Sequence, residues 1–260
     1  MRKLLVATGV AVATATTMAN AVEVGGVKIT PNVEVGWQKG EINYDAYEST
    51  SIGITATANI TSNAKTEFSV GQVGLEAQYK NYFGGIKYTH DRFKGTREYY
   101  YEDSTGYTES RTLRYSRTLE RYLAYAGYQF NLNNVELKPY ASLGYFNSNA
   151  DKGNFVGLGI TGKLNLPYGF GVFASAEYDK TFDTKSKWND IASKDIKDIW
   201  EVSAGVSKKI NFAEIYLKTY YREHKLNATE AGDLGGGVTY NVFYNNYKFK
   251  ITGLMVGVNF

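Results

Sequence analysis

The last thirteen residues, 248–260, read KFKITGLMVGVNF and show the pattern that decides the fold. Steps of two back from the end give Phe260, Val258, Val256, Leu254 and Thr252, and the residues between them are Asn259, Gly257, Met255 and Gly253. One face is apolar and the other is small or polar, with the period of two that a β-strand imposes. The segment is therefore predicted to be a strand that separates two environments.

The same alternation recurs along the chain. Ten segments show it: 27–39, 67–80, 83–94, 119–130, 135–147, 155–164, 170–182, 198–209, 214–226 and 247–260. Their polar faces combine glycine, serine and tyrosine with recurrent charges, which suits a narrow, hydrated interior. Apolar faces that meet hydrocarbon require a closed sheet, because an open edge would leave backbone groups unsatisfied. We predict an all-β fold, a transmembrane antiparallel up-and-down β-barrel of ten strands, with eight or twelve as alternatives.

The composition limits the classes of protein. The 260 residues include 27 glycines, 23 tyrosines and no cysteine, with 29 basic and 26 acidic side chains. The lack of cysteine excludes a disulfide scaffold and thiolate metal sites. The near balance of charge argues against nucleic acid as a partner. A mean hydropathy of −0.36 excludes a helical membrane protein but not a barrel, because half of each strand and the loops are polar.

The N-terminal residues have the features of a secretory leader. A basic start with Arg2 and Lys3 precedes an apolar run over 4–15 and a small-x-small site that ends at Ala21. We expect cleavage after Ala21, which lowers the formal net charge from +3 to +1 by removing the two cations. An N-terminal membrane anchor is the alternative. Residues 22–260 are then a single barrel domain.

The connections between the ten segments alternate in length. Short connections rich in turn residues lie at 81–82, 131–134, 165–169 and 210–213, and long polar ones at 41–66, 95–118, 183–197 and 227–246. Short turns on one side and long loops on the other are typical of an outer-membrane barrel, with the long loops outside the cell and the short turns in the periplasm.

Aromatic residues gather at both ends of the segments. Beside the short turns are Tyr79, Tyr128, Phe130, Tyr168, Phe170, Phe212 and Phe260, and near the long loops are Trp37, Tyr122, Tyr145, Tyr178, Trp200 and Tyr221. Their separation by strand end favours two interfacial belts. The ordinary preference of aromatic residues for strands is the alternative.

On these features the chain resembles the small bacterial outer-membrane β-barrel families, the opacity-type surface proteins and porin-like barrels. The most specific element is the final strand with Val256, Val258 and Phe260, which in those families looks like the signal read by the barrel-assembly machinery. The resemblance implies residence in the bacterial outer membrane. It also implies outer-membrane lipids, lipopolysaccharide and that machinery as partners.

Twelve polar side chains are expected to face the lumen. They are Glu34, Glu76, Gln78, Lys87, Asp91, Arg121, Glu136, Lys138, Glu177, Glu201, Lys218 and Arg222. Both signs of charge occur, and a ten-stranded barrel is only slightly wider than the eight-stranded size that side chains can fill. We favour a salt-bridged, largely closed interior, because buried charges are retained when they are paired. A porin-like narrow channel for small solutes is the alternative.

The segment 95–118 is the most distinctive of the long connections. Its candidate surface contacts are Arg97, Tyr99, Tyr100, Tyr101, Arg111, Arg114 and Arg117. Pairing of 96–101 with 108–115 would make a hairpin that extends the barrel above the membrane. Tyrosine supplies contact area at low entropic cost, and arginine suits phosphate or sulfate. The hypothesis is a surface role in adhesion or envelope structure, through host matrix, glycan or lipopolysaccharide phosphates. A solvated loop without a ligand is the alternative.

The residues predict no catalytic, cofactor or metal site. Each of the two histidines has an acidic neighbour in the sequence, in His90-Asp91 and in Glu223-His224. Adjacent residues of a strand point to opposite faces, so neither pair is a ready catalytic dyad. Omptin-like proteases use an Asp pair and an Asp-x-His element, and neither histidine has that arrangement. An outer-membrane hydrolase is therefore a distant alternative, and the protein is predicted not to be an enzyme.

A closed barrel predicts heat-modifiable migration. The folded protein should migrate differently in a gel before and after boiling, because a hydrogen-bonded barrel resists detergent until it is heated. Cell fractionation should place the protein with the outer membrane. A soluble periplasmic product would contradict the barrel.

Overall fold

The computed structural model describes residues 22–50, 55–65, 70–103, 105–148, 151–186, 193–211, 213–233 and 239–260. The predicted leader 1–21 and the belt residue Phe212 lie outside these ranges. The strands are β1 Val22–Val24, β2 Val27–Thr50, β3 Thr55–Lys65, β4 Val70–Tyr79, β5 Tyr82–Asp103, β6 Thr108–Tyr128, β7 Phe130–Leu132, β8 Val135–Ser148, β9 Asp151–Asn165, β10 Phe170–Ser186, β11 Ser193–Ile210, β12 Ala213–Asp233 and β13 Thr239–Asn259. A 3₁₀ turn, Pro167–Gly169, precedes β10. In the described part of the chain, no helix is long and apolar enough to span a membrane.

The sheet closes on itself through β2. On one side β2 pairs antiparallel with β13, the last strand. On its other side it pairs with β4 and then with β3, which share one position in the wall because both also pair with β5. β7 continues the line of β6 along β8, and β1 folds back on β2. The result is the predicted all-β, antiparallel up-and-down barrel of ten strands.

Most residues predicted as long loops belong to strands, which corrects the loop assignments 41–66, 95–118, 183–197 and 227–246. β5 and β6 stay paired up to Glu102 and Thr108, so the predicted hairpin of 96–101 with 108–115 is confirmed. A tilted strand crosses a bilayer in ~9–11 residues, whereas β5 has 22. The barrel therefore continues far beyond the membrane at this end, called the outer end below. Except for that hairpin, the sequence pattern missed the extensions, because no face of a strand needs to be apolar outside hydrocarbon.

An apolar band covers the outward face of the barrel. On β9, for example, Val156, Leu158 and Ile160 are exposed on the outer surface. Aromatic side chains border the band at both ends, as predicted from the sequence. The nine residues from Phe170 to Tyr178 on β10 connect the two borders, which matches the length that crosses the hydrocarbon.

Ring contacts tie the outer belt together along neighbouring strands. Tyr122 lies 6.4 Å from Tyr145, and Tyr178 lies 4.6 Å from Trp200, between ring centroids. Tyr88, which the sequence reasoning did not assign to the belt, joins it at 4.9 Å from Tyr122. The belt marks the outer surface of the membrane on the barrel wall.

Phe260 does not follow the alternation that placed it on the lipid side. It comes after the last residue of β13, and its N–H donates to the carbonyl of Pro31. Its side chain is only 6% exposed and lies inside the barrel at the end with the short turns, called the inner end below. Val256 of the same predicted assembly signal does face outward and is exposed, and Val258 lies on the same outward-facing register. The outward assignment of Phe260 was wrong because no ladder partner fixes the side-chain direction beyond the strand end.

Inward-facing aromatic rings lie opposite glycines. Eight cross-strand pairs show this arrangement: Phe83 with Gly127, Tyr125 with Gly85, Tyr140 with Gly159, Phe146 with Gly153, Phe155 with Gly144, Phe173 with Gly205, Tyr216 with Gly257 and Tyr220 with Gly253. In each pair the ring occupies the space above the glycine, where a Cβ would collide with it. The glycines thus let large side chains lie flat along the wall, which fills the lumen without forcing the strands apart.

The space above Gly257 provides a direct test of this packing. A Cβ there would lie 2.2 Å from Cζ of Tyr216, whose hydroxyl is held by Glu34 at 2.6 Å, so the ring cannot move freely. We predict that Gly257→Ala lowers the free energy of unfolding in detergent micelles by about 1–3 kcal/mol, as overpacking does. The control is Gly71→Ala, since nothing lies within 4 Å of a Cβ at Gly71. Equal stability of the two variants would refute the packing argument.

Candidate functional site

The twelve predicted lumen residues all lie inside the barrel, at two levels. Five of them, Asp91, Arg121, Glu177, Glu201 and Arg222, form a charged cluster with Asp179. The other seven, Glu34, Glu76, Gln78, Lys87, Glu136, Lys138 and Lys218, line a cavity. The structure therefore separates a set that the sequence presented as a single group.

Arg121 on β6 reaches across the lumen to β10 and β11. Its guanidinium donates to Asp179 at 2.6 Å, to Glu201 at 3.3 Å and to Glu177 at 3.4 Å. Arg121 and Asp179 are both buried. Because the bonds connect strands that are not neighbours in the sheet, they hold opposite walls together rather than strengthening one ladder.

Arg222 on β12 makes the second half of the cluster. It donates to Asp91 on β5 at 3.0 Å and to Glu201 at 2.7 Å, so both arginines share the carboxylate of Glu201. The side chain of Gln38 on β2 donates to the other oxygen of Asp91 at 2.9 Å. Together with β8, whose Ser142 donates to Asp179 at 3.4 Å, seven of the ten wall positions are joined by one hydrogen-bonded network.

The cluster lies at the level of the outer aromatic belt. Arg121 precedes Tyr122, Glu201 follows Trp200 and Asp179 follows Tyr178 in the chain, and in each pair the aromatic ring points to lipid while the charge points inward. The network consequently crosses the barrel where the membrane meets the outside.

An apolar layer covers the outer side of the cluster. Phe93 and Phe249 are fully buried, and their ring centroids lie 5.1 Å apart. Phe146 and Ile199 are buried at the same level, and Phe155 packs under the guanidinium of Arg121 at 5.1 Å. Charged side chains and rings together lie across the described lumen at this height.

Below the cluster, towards the short turns, lies a cavity of about 690 Å³. Its charged lining comprises six lysines and four glutamates: Lys28, Lys87, Lys138, Lys163, Lys209, Lys218, Glu34, Glu76, Glu136 and Glu214. Three ion pairs connect residues of this lining: Lys138 with Glu76 at 2.6 Å, Lys163 with Glu214 at 2.5 Å and Lys218 with Glu34 at 2.7 Å. The cavity is thus polar and carries more positive than negative groups.

Sequence reasoning missed several members of these two sites. Asp179 and Gln38 were not among the predicted lumen residues. Each nevertheless lies on the same strand face as a residue that was predicted to face the lumen, Glu177 for Asp179 and Glu34 for Gln38. The inward tyrosines were also left out, yet Tyr140 donates to Glu177 at 2.8 Å. The period-two alternation had already put Asp179 and Tyr140 on the polar faces of their segments, so the signal was present and only the choice of lumen candidates omitted them.

Comparison with known proteins supports the architecture. No family model and no curated protein sequence matches this chain. The crystal structure of the outer membrane protease OmpT from Escherichia coli superposes with a TM-score of 0.56 at 11% identity, covering 89% of this chain and 96% of that one. The chain has the fold of bacterial outer-membrane β-barrels. A looser match is an outer membrane channel from Pseudomonas putida F1, with a TM-score of 0.40 at 13% identity, covering 93% of this chain and 97% of that one. Another is the outer membrane protein OprG from Pseudomonas aeruginosa, with a TM-score of 0.33 at 14% identity, covering 92% of this chain and 99% of that one.

The two histidines of this outer-membrane barrel lie on different sides of the wall. His90 is on the outer surface above the belt, where Nδ1 is 3.6 Å from Glu120. The side-chain amide of Asn147, donating at 2.9 Å, lowers the pKa of the Glu120 carboxyl. His224 is buried inside the barrel and packs 5.9 Å from the ring of Phe249. The structure does not bring the two histidines together.

The predicted surface contacts lie on the outer extension of this barrel. Arg97, Tyr99, Tyr100 and Tyr101 belong to β5, and Arg111, Arg114 and Arg117 belong to β6. The side chain of Arg114 is exposed, and those of the other six lie outside the described part of the structure. Their backbone positions place all seven above the outer belt.

Loss of one arginine should expose the interdependence of the cluster. Arg222→Met removes the arginine that pairs with Asp91 and one of the two that pair with Glu201. Among the described residues, the buried carboxylate of Asp91 then keeps only the amide of Gln38 as a donor. We predict a loss of about 3–5 kcal/mol in the free energy of unfolding, measured by urea titration of the refolded barrel in micelles. The control is Lys180→Met, which breaks an exposed pair with Asp198. That variant should unfold like the parent protein, and an equal effect of both would contradict the role assigned to the cluster.

Proposed function

We propose that this protein is an integral outer-membrane barrel with a closed lumen, whose function is carried by the surface that it raises outside the cell, in adhesion or envelope structure. The observation that carries the proposal is the continued pairing of β5 and β6 up to Glu102 and Thr108. A strand long enough to cross the membrane would end near Arg92. The additional length serves no need of the membrane and implies a use outside it.

The height of the extension fits a contact surface. From Tyr88 in the belt to Glu102, fourteen residues at a rise of ~3.3 Å extend about 45 Å along the strand. β2, β3, β12 and β13 also continue past the belt, so the extension has several walls. Such a surface reaches beyond the lipid headgroups and can meet large ligands.

The residues of the β5–β6 hairpin suggest the chemistry of the ligand. Four arginines and three consecutive tyrosines lie within 97–117. Arginine binds sulfate and phosphate in a bidentate manner, and tyrosine packs against sugar rings. We propose sulfated or phosphorylated glycans, of host matrix or of lipopolysaccharide, as the ligand class.

The filled lumen supports this proposal over a porin-like channel. A solute would have to displace the network of Arg121 and Arg222 and then the layer of Phe93 and Phe249, because both lie across the path. Breaking buried ion pairs costs several kcal/mol. The proposal includes no catalytic role, since His90 and His224 lie on opposite sides of the wall.

Export and assembly belong to the same proposal. The leader would be cleaved after Ala21, and the final strand with Val256 and Val258 would be the segment that the barrel-assembly machinery recognises. The outward exposure of Val256 on β13 supports its recognition, because an outward side chain remains available to another membrane protein. Outer-membrane lipids would then cover the apolar band.

Charge removal on the hairpin tests the proposed surface role. Cells that display the variant Arg97→Gln, Arg111→Gln, Arg114→Gln, Arg117→Gln should bind immobilised heparin at least tenfold more weakly than cells with the parent protein. The matched control is Lys152→Gln, Lys180→Gln, Lys185→Gln, Lys225→Gln, which removes four exposed cations from β9, β10 and β12. Unchanged binding by the arginine variant, at equal surface expression, would reject the ligand class proposed for the hairpin.

A further inference from the structure

Charge is separated along the axis of the lumen. The cluster at the outer belt holds two arginines against four carboxylates, of Asp91, Glu177, Asp179 and Glu201. The cavity below it holds six lysines against four glutamates. A group that enters the cavity from the end with the short turns therefore meets a positive wall first and a negative barrier behind it.

Three lysines produce the positive excess of the cavity. Among the described residues, Lys28, Lys87 and Lys209 have no carboxylate partner within 4.0 Å, in contrast to Lys138, whose ammonium is bound by Glu76. Lys28 and Lys209 are exposed at the rim, and Lys87 lies deeper, with its ammonium 5.2 Å from the ring centroid of Tyr125. Cations without a carboxylate partner in a confined space attract an anion more strongly than they would on an open surface.

The shape of the cavity suits a small organic molecule. Its volume of about 690 Å³ lies in the range of ~300–1,000 Å³ that small-molecule pockets occupy. Phe83, Phe173 and Phe260 supply apolar wall area for a carbon skeleton. The hydroxyls of Ser175 and Ser203, 2.7 Å apart, add hydrogen-bonding groups to the wall.

We infer that this cavity is a blind binding site for small organic anions that carry carboxylate or phosphate groups, entered from the end with the short turns. Lys28 and Lys209 draw the anion to the rim, and Lys87 binds it inside. The salt-bridged side chains of the cluster and the apolar layer behind it lie across the path and stop the anion from passing outward. In the orientation of the proposed function this end opens to the periplasm, but the site itself depends only on the barrel and not on any role of the outer surface.

Titration calorimetry with citrate tests the inference. Citrate is added to the refolded, full-length mature barrel in non-ionic micelles at low ionic strength, and putrescine serves as the cationic counterpart. Citrate should bind with a stoichiometry near one and putrescine should give no binding heat. Raising the salt concentration should weaken citrate binding, because the contacts are charged and reached by solvent.

Lysine variants locate the binding. Lys87→Gln should weaken citrate binding about tenfold or more, as the loss of a charge-assisted hydrogen bond does. Lys209→Gln should weaken it as well, and this exposed rim position keeps the test valid if Lys87→Gln does not refold. The control Lys152→Gln removes the same charge from the outside of the barrel and should leave citrate binding unchanged.

Two results would overturn the inference. One is the absence of citrate binding to the parent barrel. The other is equal citrate affinity in Lys209→Gln, Lys87→Gln and Lys152→Gln when all three show heat-modifiable migration, because the anion would then be bound by the outer surface or the micelle. Failure of heparin binding by the hairpin would not affect either result, since that surface lies at the opposite end of the barrel.

Discussion

Two arginine side chains that cross the lumen are the interaction on which the rest of this structure depends. Arg121 and Arg222 share Glu201 and extend from it to opposite walls, so Glu201 depends on both arginines, Asp91 on Arg222, and Asp179 and Glu177 on Arg121. Buried charges persist when they are fully paired, and a ten-stranded barrel is narrow enough for long side chains to pair across it. The network fixes the distance between the walls and divides the lumen into an outer part, which is packed, and an inner part, which holds a cavity.

On both sides of the cluster along the barrel axis, aromatic rings that lie over glycines fill the lumen. A tyrosine such as Tyr216 lies flat over Gly257 and still reaches a carboxylate, here Glu34, with its hydroxyl. The ring buries apolar area against the wall while its polar end enters the hydrogen-bond network. The abundance of glycine and tyrosine in the sequence follows from this arrangement, together with the belts at the two membrane surfaces. A lumen filled from the wall and bridged at one level supports function at the ends of the barrel rather than through it.

Much of this could be predicted from period-two alternation, because lipid on one side and water on the other impose opposite requirements on the two faces. In the described part of the chain, that constraint located the ten membrane-crossing segments, and the twelve residues predicted to face the lumen lie inside the barrel. It could not show which charges meet, since Arg121 and Asp179 are 58 residues apart and their contact depends on how the closed sheet staggers its strands. Apart from the predicted hairpin of 96–101 with 108–115, it also could not show that the strands continue above the membrane, because both faces are wet there. Phe260 lies just past the last ladder pair, and its side chain turns inward against the alternation because no ladder partner fixes its direction.

The central claim is that the lumen is closed, and single-channel recording on the refolded protein in planar bilayers tests it most directly. The account predicts no discrete conductance steps for the parent barrel at moderate voltage and high salt, because Arg121, Arg222 and the ring layer of Phe93 and Phe249 leave no continuous water path. Reproducible unitary steps from the parent barrel would contradict the account. Such steps would mean that the cluster opens in the membrane and that the barrel is a channel.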